Sequence, residues 1–105
     1  MSDCGWPIGQ LIDRIEVWAE DRNLIRGATS QAQMLKLTEE VGEIASAVAR
    51  GNRDALKDGI GDAVVVLTIL AAQNDLTLEE CVAAAYNEIK DRKGRMVDGV
   101  FVREE

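Results

Sequence analysis

The chain has 105 residues, enough for one domain, and its 47% hydrophobic and 30% charged residues describe a folded protein, not a disordered one. Nineteen acids against twelve bases leave a net charge of −7, which argues against sequence-independent binding to DNA or RNA. There is no histidine, so Ser-His-Asp and Cys-His catalysis are excluded, as are most zinc sites and the Glu-x-x-His di-iron bundle.

The pattern is all-α, with four helices in a single domain spanning 1–105. Residues 7–23 form the first helix, with Pro7 at its first position and Ile8, Leu11, Ile12, Ile15, Trp18 and Ala19 on a 3.6-residue period. Gly27 breaks the chain, and Thr29 or Ser30 caps the second helix, residues 31–50. Its seam is Met34, Leu37, Val41, Ile44 and Val48, and Gly51 fits its end. The third helix, 54–74, is apolar nearly all round from Ala63 to Ala72, which predicts that it packs against another subunit as well. That run is too short to cross a bilayer. The fourth helix, 78–93, opens with a capping box, Thr77-Leu78-Glu79-Glu80, with Leu76 and Cys81 as a hydrophobic staple. Residues 94–105 form a short tail that alternates around Asp98-Gly99 and can make a small β-hairpin. Cys4 and Cys81 suggest neither a disulfide framework nor a metal site. The N-terminus, Met1-Ser2-Asp3-Cys4, is not basic and leads into no apolar run, so the chain is read as cytoplasmic without a signal peptide.

The acids carry the chemistry. Glu39, Glu40 and Glu43 form a stripe beside the apolar seam, with Lys36 the one base on it. Like charges at this spacing repel unless a cation offsets them. On the third helix Asp58 and Asp62 share a face, and Asp62 stands where burial begins, so it needs a partner. The short connection makes the two helices antiparallel neighbours, with Glu43 about 8 residues before the turn and Asp62 about 9 after it, at matching height. All-oxygen ligation of this kind suits Mg²⁺ or Mn²⁺. Asn87 and Lys90 share a face of the fourth helix and, with Arg92, Lys93 and Arg95, suit phosphate. Trp18 is placed to stack on a base or to fill the core.

Glu39-Glu40-x-x-Glu43, then Gly61-Asp62 leading an apolar helix, then Asn87-x-x-Lys90, resembles the MazG-like nucleotide pyrophosphohydrolases over roughly Ile8 to Arg95. The resemblance implies a four-helix bundle assembled as a dimer or tetramer, and Mg²⁺-dependent hydrolysis of a (deoxy)nucleoside triphosphate to the monophosphate and pyrophosphate. It makes Glu40, Glu43 and Asp62 metal ligands. Glu39 would hold or deprotonate the attacking water, Asn87 and Lys90 would contact phosphate or sugar, and Lys90 would stabilise transition-state charge. Lys36, Lys93 and Trp18 complete the candidate substrate contacts. The family usually carries Glu-x-x-Asp on the third helix; here Gly59 stands in the Glu position, and Asp58 is the substitute ligand. Two other classes fit the same residues: a non-catalytic nucleotide- or Mg²⁺-binding regulator with this fold, and a helical dimerisation module.

Overall fold

The computed structural model describes residues 5–104. Four helices are followed by a two-stranded hairpin: α1 (Ile8–Asp21), α2 (Ser30–Arg50), α3 (Arg53–Gln73), α4 (Leu78–Ile89), β1 (Gly94–Val97) and β2 (Val100–Arg103). Cys4 and Glu105 lie outside the described residues, and Cys81 is an exposed free thiol.

The helix ends are set by local chemistry. Pro7 is the residue before α1, not its first residue, because its ψ of 143° is extended. Its carbonyl accepts from the N–H groups of Gln10 and Leu11. Thr29 is the cap of α2 and accepts from Ala32 N–H at 3.1 Å. Asn52 does the same for α3 through Ala55 N–H, so that helix starts at Arg53, one residue before the predicted start. Three helices end alike, on a residue at positive φ: Asn23, Gly51 and Asp75. In each case the next N–H reaches back to the helix: Leu24 to Ala19, Asn52 to Ala47 and Leu76 to Ala71, at 2.9 Å. This is the six-to-one bond of a Schellman ending.

The capping box on α4 forms in both directions, Thr77 with Glu80 N–H and Glu80 with Thr77 N–H. Thr77→Ala should therefore lower stability by about 1 kcal/mol in urea denaturation. The helix stops at Ile89, earlier than the predicted 93, and residues 90–93 turn into the hairpin. Asp98 and Gly99 both have positive φ (49° and 80°), which is the two-residue turn that fits the twist of antiparallel strands. Met96 then pairs with Phe101 and Val97 with Val100.

The main unit is the antiparallel pair α2–α3, and both α1 and α4 pack on α3. Ser30 at the start of α2 bonds Gln73 and Asn74 at the end of α3, which fixes that alignment. The core is thin: Ile12, Ala19, Ala47, Val66, Ile69 and Ala71, with Thr68 satisfied by the Val64 carbonyl. Gly59 is buried at a close approach of α3 to α2, where a Cβ would stand 2.8 Å from Ile44 Cγ1.

Of the predicted α2 seam, Leu37 and Ile44 are half-buried, but Met34, Val41 and Val48 are exposed, Val48 at 63%. On α4 no residue is buried, and Val82, Tyr86 and Ile89 are all exposed. The uncovered apolar surface thus lies mainly on α2, α4 and the hairpin. The apolar α3 is partly covered by its neighbours: Val66, Ile69 and Ala71 are buried, whereas Ile60 and Leu67 remain exposed. Among the described residues no helix is long and apolar enough to cross a membrane.

Candidate metal centre

The carboxylate oxygens of Glu40, Glu43 and Asp62 lie within 4.8 Å of one another. Two come from one face of α2, one turn apart, and the third from α3. The near contact at Gly59, one turn before Asp62 and level with Ile44, sets the separation of the two helices there. Glu40 is only 4% exposed, and its Oε2 has no hydrogen-bond partner. Its Oε1 forms an ion pair with Lys36 Nζ at 3.5 Å. A buried carboxylate oxygen without a partner is costly unless a cation meets it. Glu43 and Asp62 are exposed, so the group is open to solvent on one side. Three clustered oxygen donors with one orphaned atom fit a hard divalent cation such as Mg²⁺ or Mn²⁺.

Lys36 also meets Glu39 Oε2 at 3.5 Å. The hydrogen bond to Glu39, and then the charges of Glu39 and Glu40, raise the ammonium's pKa above its ordinary value. A raised folded value means the pair's contribution is complete at neutral pH and fades only as pH rises past it. Lys36 thus partly neutralises the carboxylates in the metal-free protein. Lys36→Met should slightly lower the melting temperature without metal, yet tighten Mg²⁺ binding in a calorimetric titration, because no ammonium has to leave Glu40. Weaker Mg²⁺ binding would contradict that role.

The remaining candidates are placed as follows. Glu39 is exposed one position before Glu40. Asp58 is exposed and is not part of the three-carboxylate group. Asn87, Lys90 and Lys93 are exposed, and Lys93 borders a charged depression with Glu88, Asp91, Arg92, Arg103 and Glu104. A cavity of about 500 Å³ lies beside the carboxylates, lined by Trp6, Leu11, Arg14, Ile15, Trp18, Asp62 and Val65. Trp18 therefore faces a cavity that shares Asp62 with the metal centre. Trp6 and Arg14 carry no signal of this role in the sequence: Trp6 precedes the helices, and Arg14 reads as one charge on the polar face of α1. Only their proximity in space, with the Arg14 guanidinium 3.6 Å from the centre of the Trp6 ring, brings them to notice.

A carboxylate cluster carried on two helices, with an apolar cavity against Asp62, makes a candidate cation site on a helical scaffold. Residues 28–97, which span α2 to β1, match the MazG nucleotide pyrophosphohydrolase domain, and the chain belongs to that family. It is also 55% identical over 67 residues to a protein of Haemophilus phage HP1 (strain HP1c1) described as an uncharacterized 18.2 kDa protein in the rep-hol intergenic region. That match takes in 64% of this chain but only 41% of the phage protein. No solved structure matches the chain.

Proposed function

We propose that this chain hydrolyses (deoxy)nucleoside triphosphates to the monophosphate and pyrophosphate with Mg²⁺, Mn²⁺ being the alternative cation. The observation that carries the reading is the meeting of Glu40, Glu43 and Asp62 around an unpartnered, buried Glu40 oxygen. Membership of the pyrophosphohydrolase family supports it. Glu40, Glu43 and Asp62 would hold the cation, which would supply positive charge to stabilise the phosphate oxygens and the leaving pyrophosphate.

The chain's own residues have separate tasks. Glu40, Glu43 and Asp62 hold the cation, and Asp58 stands one turn before Asp62 as a further acid. Glu39 accepts a hydrogen bond from water and takes its proton. Lys36 exchanges its carboxylate partners for phosphate. Asn87 on α4, and Lys90 and Lys93 just after it, are the residues assigned to the phosphates. Lys90 there stabilises the charge that develops on the phosphate oxygens.

The working state is an oligomer of this chain in the cytoplasm. A folded monomer of 11.5 kDa exposes about 5,800 Å². This chain exposes 8,175 Å². The surplus is of the size that one subunit of an obligate assembly buries. The exposed apolar residues of α2, α4 and the hairpin supply that surface.

The test is pyrophosphate release from a panel of ribo- and deoxyribonucleoside triphosphates, with and without Mg²⁺ or Mn²⁺. Metal-dependent release is expected, and no release from any substrate would overturn the proposal. Gly59 favours one other reading, a regulator that binds nucleotide without cleaving it, because the position that usually supplies a ligand has no side chain. Nucleotide binding without release would establish that reading.

A further inference from the structure

The cavity beside Asp62 has a composition of its own. Five of its seven lining residues, Trp6, Leu11, Arg14, Ile15 and Trp18, precede residue 28 and so lie outside the segment that matches the family. The carboxylates lie inside that segment.

We propose that this cavity is the base subsite and that Arg14 makes it select guanine. The inference rests on reading the carboxylate group as the phosphate end of a nucleotide site. Asp62 belongs to both the carboxylate group and the cavity wall, so a ligand anchored through a cation at Asp62 extends naturally into the cavity. Two indoles with Leu11, Ile15 and Val65 give flat apolar walls, which bind a base by its π-face whatever its identity. Arg22 stands over the Trp18 ring at 4.6 Å and donates to the Trp18 carbonyl at 3.2 Å, so that indole is held in place.

Discrimination falls to Arg14, the only donor-bearing charged side chain of the cavity among the described residues. Its guanidinium stacks on Trp6, which uses a face of the group and leaves the N–H edge for bonds in the plane. Among the described residues Arg14 is in no ion pair. Two parallel N–H donors fit two adjacent acceptors on a base edge, and guanine offers O6 and N7. Adenine places an amino donor beside N7, and thymine and uracil separate their carbonyls with an N–H. Cytosine has adjacent N3 and O2 but only a single ring to stack on an indole. Guanine alone has both the acceptor pair and the larger face.

The chain contains two tryptophans, and both line this cavity, so indole fluorescence reports on it directly. The experiment titrates the full chain with dGMP, 7-deaza-dGMP, dCMP, dAMP and dTMP without divalent metal, where hydrolysis plays no part. Saturable quenching is expected, with dGMP at least about five-fold tighter than 7-deaza-dGMP or dAMP. Arg14→Lys keeps the charge but loses the paired donors, and it should erase the preference while leaving binding measurable. Equal affinity for dGMP and 7-deaza-dGMP would overturn the proposal, as would tighter binding of dCMP, a preference that survives Arg14→Lys, or no quenching at all. Guanine-selective quenching without pyrophosphate release would sink the hydrolase reading and leave the subsite standing. Release with no base preference in this titration would do the reverse.

Discussion

Glu40→Gln should make the metal-free protein more stable and almost insensitive to Mg²⁺. In the wild type, three carboxylates meet within 4.8 Å, and one of them is buried with an oxygen that nothing satisfies. Leaving such a group unmet costs about 1–3 kcal/mol, and more when it is charged. Glutamine removes the charge and supplies an amide donor that either neighbouring carboxylate can accept. The loss of the pairing with Lys36 opposes this, but that pair is exposed at the lysine and weak. The net expectation is a rise in melting temperature without metal. The response to metal moves the other way. A site saturated a hundred-fold above its dissociation constant stabilises by about 2.7 kcal/mol, and a variant that no longer binds gains nothing. Thermal melts of both proteins across a Mg²⁺ series test the two halves together. Pyrophosphate release should fall with the lost metal response. A variant that is less stable without metal yet keeps the full Mg²⁺ shift would mean that Glu40 is a structural acid and that the cluster is not the cation site.

Much of the fold is legible in the sequence because it rests on local signals. Thr77 and Glu80 announce the start of α4 by a bond pattern that needs no tertiary context, and Asp98-Gly99 announces the hairpin by backbone conformation alone. The antiparallel pairing of α2 and α3 follows from a connection too short for any other arrangement. The nearness of the α2 acids to Asp62 follows in turn from helical spacing and equal height from the turn. Singling out Glu40 within the stripe of Glu39, Glu40 and Glu43 takes the family resemblance, and Asp58, expected in the set, stands outside it. What the sequence conceals is non-local. The period that marks Met34, Val41 and Val48 as a seam is real, but a period does not say whether the covering surface lies in the same chain, and here these residues stand exposed. The fourth helix reads to 93 because Lys90–Lys93 are compatible with a helix, whereas the hairpin that follows ends it at Ile89, and Glu104 N–H bonds the Lys93 carbonyl at 2.7 Å. Trp6 and Arg14 belong to different local contexts and meet only through the packing of the segment before α1 against that helix.

Restoring the family's usual acid by Gly59→Glu should damage the protein instead of completing its site. A Cβ at residue 59 would stand 2.8 Å from Ile44 Cγ1, a collision with that side chain, while the α2 backbone at Ile44 Cα, 3.7 Å away, is already in van der Waals contact and leaves little room for a longer side chain. Replacing glycine in a helix interior gains about 1 kcal/mol of propensity, whereas overpacking a close contact costs about 1–3 kcal/mol and sometimes more. With a side chain as long as glutamate the second effect wins, and the helices relax by moving apart. Asp62 is one turn further along α3, and Glu43 adjoins Ile44 on α2, so separation at Gly59 also spreads the carboxylates. The absent ligand and the closeness of the remaining three are then expected to be coupled: the glycine that cannot ligate should help the other acids to meet. Gly59→Ala isolates the packing from the new charge and should lower stability in urea and weaken the Mg²⁺-induced shift. Ile44→Ala alone should cost about 2–5 kcal/mol, yet added to Gly59→Ala it should cost less, by a coupling of about 0.5–3 kcal/mol, because it removes the atom in collision. A Gly59→Ala protein as stable as wild type, with the Mg²⁺ response intact and no coupling to Ile44, would show that the helices tolerate a side chain here and that the close approach does not hold the site together.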